Sequence, residues 1–205
     1  MALPGRAAQV SESWIRRRFA EAVADDGPSG DADVTLTLSG TPASVLVPLV
    51  RREHGLTVLL TQRTAHLADH AGQVAFPGGR AEESDTGPEA TALREAEEEV
   101  GIRSDQVEIL GRLSRYRTGS GFLVTPVVGI VTPPLNLRLD DFEVADVFEP
   151  PLSFLMDPAN HQYETAELRG EQRQFYSMPW EGYYIWGATA GMLVGLYRFL
   201  MAESG

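Results

Sequence analysis

"GRAEESDTGPEATALREAEEEVGI", residues 79–102, is the stretch whose reading decides the fold. Pro88 suits the first turn of a helix, where its missing N–H costs nothing, and Gly101 suits the residue that ends one. The spacing predicts a helix over Pro88–Val100. On that helix Leu93, Ala96 and Val100 share an apolar side, while Glu95, Glu98 and Glu99 share another. Glu97 points elsewhere, toward solvent. Like charges one turn apart cost roughly a few tenths of a kcal/mol each, so an exposed triplet is only untidy. Hard divalent cations reverse that sign, because carboxylate oxygens are the ligands Mg²⁺ prefers. Arg94 is placed to pair with one carboxylate and orient it. On the helix alone, a solvated face and a cation site both stand.

Upstream, "ASVLVPLV" (43–50) and "LTVLLTQR" (56–63) are apolar, β-branched runs that read as buried strands. "GQVAFPGG" (72–79) reads as a short strand closed by a Pro-Gly-Gly turn. "SESWIRRRFAEAVADD" (11–26) reads as an amphipathic helix capped by Ser11 or Ser13, and "GPSGDAD" (27–33) as a linker. Downstream, strands are expected at 107–117 and 122–131, joined across "TGSG". A helical turn is expected near Leu152–Met156 and a hairpin around "RGEQ". "YYIWGATAGMLVGLYRFLM" (183–201) reads as one long closing helix. Its length approaches the roughly 20 residues of a membrane span. Gly187, Gly191 and Gly195 instead suggest a helix packed closely on a sheet. The mixture implies α/β (α+β) architecture: residues 1–40 as a helical extension and linker, and 41–205 as the main domain.

The chain has 205 residues, 17 basic against 29 acidic, and a formal charge of −12. That balance argues against binding a nucleic-acid backbone, which needs clustered Lys and Arg. An acidic protein that handles a phosphorylated ligand needs a local source of positive charge, and metal ions supply one. There are no cysteines, which removes disulfides, thiol catalysis and Cys-ligated zinc. "MALPGRAAQVSESW" lacks the apolar core of a secretory signal, so cytoplasmic residence is expected, with no membrane partner.

A Gly-Gly turn, an acidic loop and a Glu-rich helix in that order resemble the Nudix box, G-x5-E-x7-R-E-U-x-E-E-x-G-U. Arg94, Glu95, Ala96, Glu98, Glu99, Gly101 and Ile102 match its second half without a gap. The first half departs: Asp85 stands where the box has its first Glu, with eight residues to Arg94 instead of seven. The resemblance implies a Nudix-type α/β/α sandwich with a mixed β-sheet, and metal-dependent hydrolysis of a nucleoside diphosphate derivative. It assigns Glu95, Glu98 and Glu99 to Mg²⁺ or Mn²⁺, with a carbonyl of Gly78 or Gly79 completing the shell. Arg94 has an orienting role. The general base comes from the box, as Glu98, or from a later loop, as Glu143.

"LLTQRTAHLADHAGQVAFPGG" (59–79) further resembles the upstream signature of the coenzyme A diphosphatases, L-L-T-x-R-[SA]-x3-R-x3-G-x-V-x-F-P-G-G. "YYIWGATAGML" resembles that subfamily's closing segment. Thr64 replaces Ser or Ala, and Ala68 stands where the signature has Arg. The implied substrate is coenzyme A or a derivative, split into 4′-phosphopantetheine and adenosine 3′,5′-bisphosphate. Arg63 and Gln73 are the substrate-binding candidates from the signature. Arg115 and Arg117, near "RYRTGSG", are candidates to replace the lost arginine, or else solvated strand-end residues. His66 and His70 read as loop-structural, and Trp180 and Trp186 as core residues. A homodimer is compatible with the sequence. Two other readings remain: a Nudix hydrolase of a different nucleoside diphosphate derivative or nucleoside triphosphate, and a silent nucleotide-binding module. The retained carboxylates count against silence.

Overall fold

A computed structural model describes residues 10–22, 28–30, 39–65, 72–168 and 171–202. In chain order, α1 (Glu12–Glu21) precedes β1 (Pro28–Gly30), β2 (Thr41–Arg52), β3 (Gly55–Val58) and β4 (Leu60–Arg63). Then come β5 (Val74–Ala75), β6 (Gly78–Arg80), α2 (Pro88–Val100), β7 (Val107–Arg112), β8 (Arg115–Arg117) and β9 (Phe122–Val131). The chain continues through β10 (Val144–Phe148), α3 (Leu152–Leu155), β11 (Gln162–Leu168), β12 (Glu171–Trp180), β13 (Tyr183–Trp186) and α4 (Gly187–Met201).

The main sheet runs β1-β8-β9-β2-β3, with β6 also pairing with β2 and β7 with β9. Its spine is the parallel pair β2 and β9, in register from Thr41↔Phe122 to Val50↔Val131. Both strands are covered on both faces, which explains their nearly continuous apolar sequence. Leu46, Val50, Val127 and Val131 meet Ala92, Ala96 and Val100 of α2 on one face. Val47, Leu49, Val128 and Ile130 face Leu193 and Leu196 of α4 on the other. The result is a mixed α/β sandwich with helices on both sides of a mixed sheet, as the sequence implied. Two smaller sheets, β10-β4-β5 and β11-β12-β13, flank it.

Helix α2 has the bounds its sequence requires, with Pro88 in the first turn and Gly101 left-handed at φ 76°. Other segments divide where one strand was expected. The run 56–63 breaks at Leu59, because the Val58 N–H turns to Pro150 O and β4 leaves for the small sheet. Residues 72–79 divide between β5 in that sheet and β6 in the main one, and 107–117 divides into β7 and β8. Part of the expected linker is a strand: Pro28–Gly30 pairs in parallel with Arg115–Arg117. Helix α1 starts at the Ser11 cap and ends at Glu21, short of the expected 11–26.

The closing segment is not one helix. Tyr183–Trp186 pairs with β12, as its aromatic and β-branched residues favour, and Gly187 at φ 61° turns the chain into α4. No described helix is long and apolar enough to cross a membrane. Among the three glycines only Gly191 packs closely on the sheet. A methyl group there would lie 2.6 Å from the Tyr116 hydroxyl, whereas Gly187 and Gly195 have nothing within 4 Å.

Candidate metal centre and active site

Helix α2 delivers its glutamates to the Gly-Gly turn of β6. A Cβ at Gly79 would lie 2.5 Å from the Glu95 carboxylate, which shows how closely that side chain approaches the strand. The Gly78 N–H donates to Glu99 Oε2 at 3.2 Å. Gly78 is itself pressed on β2, where a Cβ would be 2.5 Å from Ser44 O. The Pro-Gly-Gly sequence therefore serves two close approaches at once, one to β2 and one to α2.

Glu99 is 6% exposed, and burial, with the charges of Glu143 and Glu95 adding, pushes its carboxyl up to about 8. Burial also raises Glu95, with Glu98 and Glu143 adding to the shift. Glu97 and Glu98 are both exposed, and Glu98 alone of the two is bonded by Arg94 on the side of Glu95. Glu143 arrives from a loop that the end of α2 holds. The last helical carbonyls, Glu99 O and Val100 O, accept from the Asp140 and Arg138 N–H groups. Asp140 O then accepts from Glu143 N at 3.0 Å, and the Thr64 N–H donates to Glu143 O at 3.0 Å. Thr64, one of the departures from the signature, adds a hydroxyl bond to Phe142 O at 2.7 Å. Glu95 and Glu99 thus lie against the Gly78-Gly79 turn, with the negative charges of Glu98 and Glu143 felt beside them.

Arg94 lies along one flank. Its Nη1 donates to Glu95 Oε1 at 2.9 Å and Glu98 Oε2 at 3.2 Å. Its Nε and Nη2 grip both oxygens of Asp85 at 3.1 Å, and Nη2 also reaches Arg80 O. Asp85, held well below the usual carboxylate range by Arg94, also accepts from Thr91 Oγ1 and the Glu82 N–H. The irregular first half of the motif therefore does structural work. The extra residue in the loop accompanies a side chain one methylene shorter than Glu, and the carboxylate still reaches Arg94. Spacing alone exposed Asp85 as a mismatch; only the fold shows it as the partner of Arg94.

Arg63 lies on the other flank, with Nη2 at 3.6 Å from Glu143 Oε2. Gln73 is beside it, its carbonyl accepting the Arg63 N–H at 2.9 Å. Arg115 and Arg117 are elsewhere, on β8. Arg115 lines a separate cleft of about 350 Å³ with Ser44, Asp85, Thr91 and Thr125. None of the four glutamates lines that cleft. His66, Ala68 and His70 lie outside the described residues.

A family model described as NUDIX domain matches residues 40–168. The chain is also 46% identical over 158 residues to "Uncharacterized Nudix hydrolase NudL" of Escherichia coli O6:H1, covering 77% of this chain and 81% of that protein. The protein of the same name from Photorhabdus laumondii is 44% identical over 151 residues, 74% and 80% of the two chains. The chain belongs to the Nudix family. Among solved structures, a C. elegans Ap4A hydrolase superposes with a TM-score of 0.47 and 20% identity, over 54% of this chain and 80% of that one. The Nudix assignment makes the protein a hydrolase of phosphoric anhydrides, and Nudix hydrolases generally require divalent metal ions. Among the described residues no three His, Cys, Asp or Glu side chains are grouped closely enough to hold a metal ion as they stand. The donor chemistry nevertheless fits such an ion: hard carboxylate oxygens, two of them on acids whose burial disfavours charge without a cation beside them.

Proposed function

We propose that this Nudix protein is a Mg²⁺- or Mn²⁺-dependent diphosphatase of coenzyme A or its derivatives, releasing 4′-phosphopantetheine and adenosine 3′,5′-bisphosphate. The supporting observation is the approach of Glu95 and Glu99 to the Gly78-Gly79 turn, with the charges of Glu98 and Glu143 felt there and Arg63 beside Glu143. Glu95 and Glu99, with Glu98, would hold the metal, joined by a carbonyl of the glycine turn. The bound ion supplies charge neutralisation at the phosphoryl oxygens and a water of lowered pKa. Arg94, fixed by Asp85, keeps Glu95 and Glu98 facing the substrate. Glu143 or Glu98 takes the proton of the attacking water, and Arg63 holds the diphosphate. The Arg63 segment carries the coenzyme A signature, which is why coenzyme A is preferred to other nucleoside diphosphate derivatives as substrate. The protein would act in the cytoplasm.

The test is a panel of coenzyme A, its 3′-dephospho form and ADP-ribose with Mg²⁺ and Mn²⁺, products resolved by mass. A charge-assisted contact is worth roughly 1.5–3 kcal/mol, so coenzyme A should lead by about tenfold to a hundredfold in kcat/KM. Equal rates on all three would mean a generic diphosphatase.

A further inference from the structure

The two guanidinium groups bordering the glutamates differ in how fully they are bonded. Arg94 makes five hydrogen bonds, to Asp85, Glu95, Glu98 and the Arg80 carbonyl. Among the described residues Arg63 has for its guanidinium only a 3.6 Å approach to Glu143, beyond the length of a good hydrogen bond. Its Nε is buried with no hydrogen-bond partner among the described residues. The backbone around it is fixed, since its N–H bonds Gln73 O and it stands opposite Val144 in the sheet. The unmade bonds are thus a property of the side chain in its place and not of a loose strand. A charged donor held this way is costly unless another state of the protein uses it.

Its neighbours indicate that other state. Glu143 is the contact, and the charge of Arg63 is also felt at Glu99. Both are acids assigned above to the metal site or to the water beside it. We propose that Arg63 is the resident counter-ion of Glu143 in the metal-free site, from which divalent cations must displace it, and that the displaced guanidinium then serves the diphosphate of the substrate. The inference rests on the metal reading of the glutamates. It makes metal binding a precondition for presenting Arg63, so metal precedes substrate. Arg94 has no such part, because its bonds are already made.

The experiment is Mn²⁺ binding without substrate, by titration calorimetry at pH 8.5, for the wild type, Arg63→Gln and Arg63→Lys. Removing one unit charge a few Å from a divalent site should tighten Mn²⁺ by about tenfold. Arg63→Gln should therefore bind more tightly than wild type while hydrolysing substrate more slowly, and Arg63→Lys should stay near wild type. In the unaltered protein, Arg63 should react with phenylglyoxal severalfold faster in Mn²⁺ than in EDTA, as mapped by mass spectrometry. That measurement holds even if Arg63→Gln does not fold. Equal or weaker Mn²⁺ binding by Arg63→Gln, or a reaction rate that Mn²⁺ leaves unchanged or slows, would overturn the counter-ion role and leave the metal site intact. A wild type that takes up no Mn²⁺ would overturn the metal reading itself, and this proposal with it.

Discussion

The glutamate cluster has one closed flank and one open flank. On the closed flank Arg94, Asp85 and Thr91 bond one another and brace Glu95 and Glu98. On the open flank Arg63 and Glu143 stand at 3.6 Å, and Phe142 beside them is 65% exposed. The first is a braced frame; the second has half-made contacts. On the proposed function, the difference teaches that positioning and binding fall on separate sides of one carboxylate group. Substitutions on the two flanks should then fail in different ways.

The largest effect should come from the centre between them. Glu99→Gln or Glu95→Gln should remove at least about two orders of magnitude of kcat, because an amide is a poor substitute for an anionic metal ligand. If Glu97→Gln were equally damaging, the phasing of α2 would be wrong. On the closed flank, Asp85→Asn should lower kcat by about tenfold to a hundredfold with little change in KM, as expected when a ligand's support is lost. A change confined to KM would instead place Asp85 against the substrate. On the open flank, Arg63→Ala should raise KM and erase most of the preference for coenzyme A over its 3′-dephospho form.

A smaller effect concerns stability in EDTA. The Glu99 carboxyl lies at about 8 in the folded protein against an ordinary value of 4.5. Between those values the folded state holds a proton that the unfolded state has released. Its contribution is therefore full below pH 4.5 and is lost as pH rises toward 8. The melting temperature of chelated protein should fall across that window. Saturating Mg²⁺ should take the proton's place and flatten the fall, as should Glu99→Gln. A slope that persists in Glu99→Gln would assign it to another group. The smallest effect belongs to Glu97→Gln, whose activity should match wild type within error.

Helix α2 was legible in the sequence because everything that defines it is local: Pro88 at one end, Gly101 at the other, and a repeat of three and four between. The meeting of Arg63 with Glu143 was not. Residues eighty positions apart are joined by a strand pairing, Val144↔Arg63, that leaves no periodic trace. Only the family resemblance put both on one list of candidates. Arg115 and Arg117 were also named from their charge and their nearness to a glycine loop, and β8 carries both, with Arg115 in the cleft that Asp85 and Thr91 also line. The breaks at Leu59 and at Tyr183–Trp186 were hidden for a similar reason. Composition continues across them, while hydrogen-bond partners change.

The first and last helices also touch. The Phe19 ring of α1 lies tilted against Phe199 of α4 with centroids 4.5 Å apart, and Arg18 Nη2 bonds Phe199 O at 3.0 Å. Helix α1 is bound to the main sheet as well, through Arg16 on Glu108 and Arg51 on Glu12. Segments some 180 positions apart are thus packed as one unit on the sheet. A tether from Ala202 to Val10, with a new opening at the exposed turn Glu53–His54, should yield a circular permutant with the same sandwich. Such a permutant would begin and end between β2 and β3. If its melting transition disappears, the order in which β2 and β3 are made matters to folding, and not only their final contact.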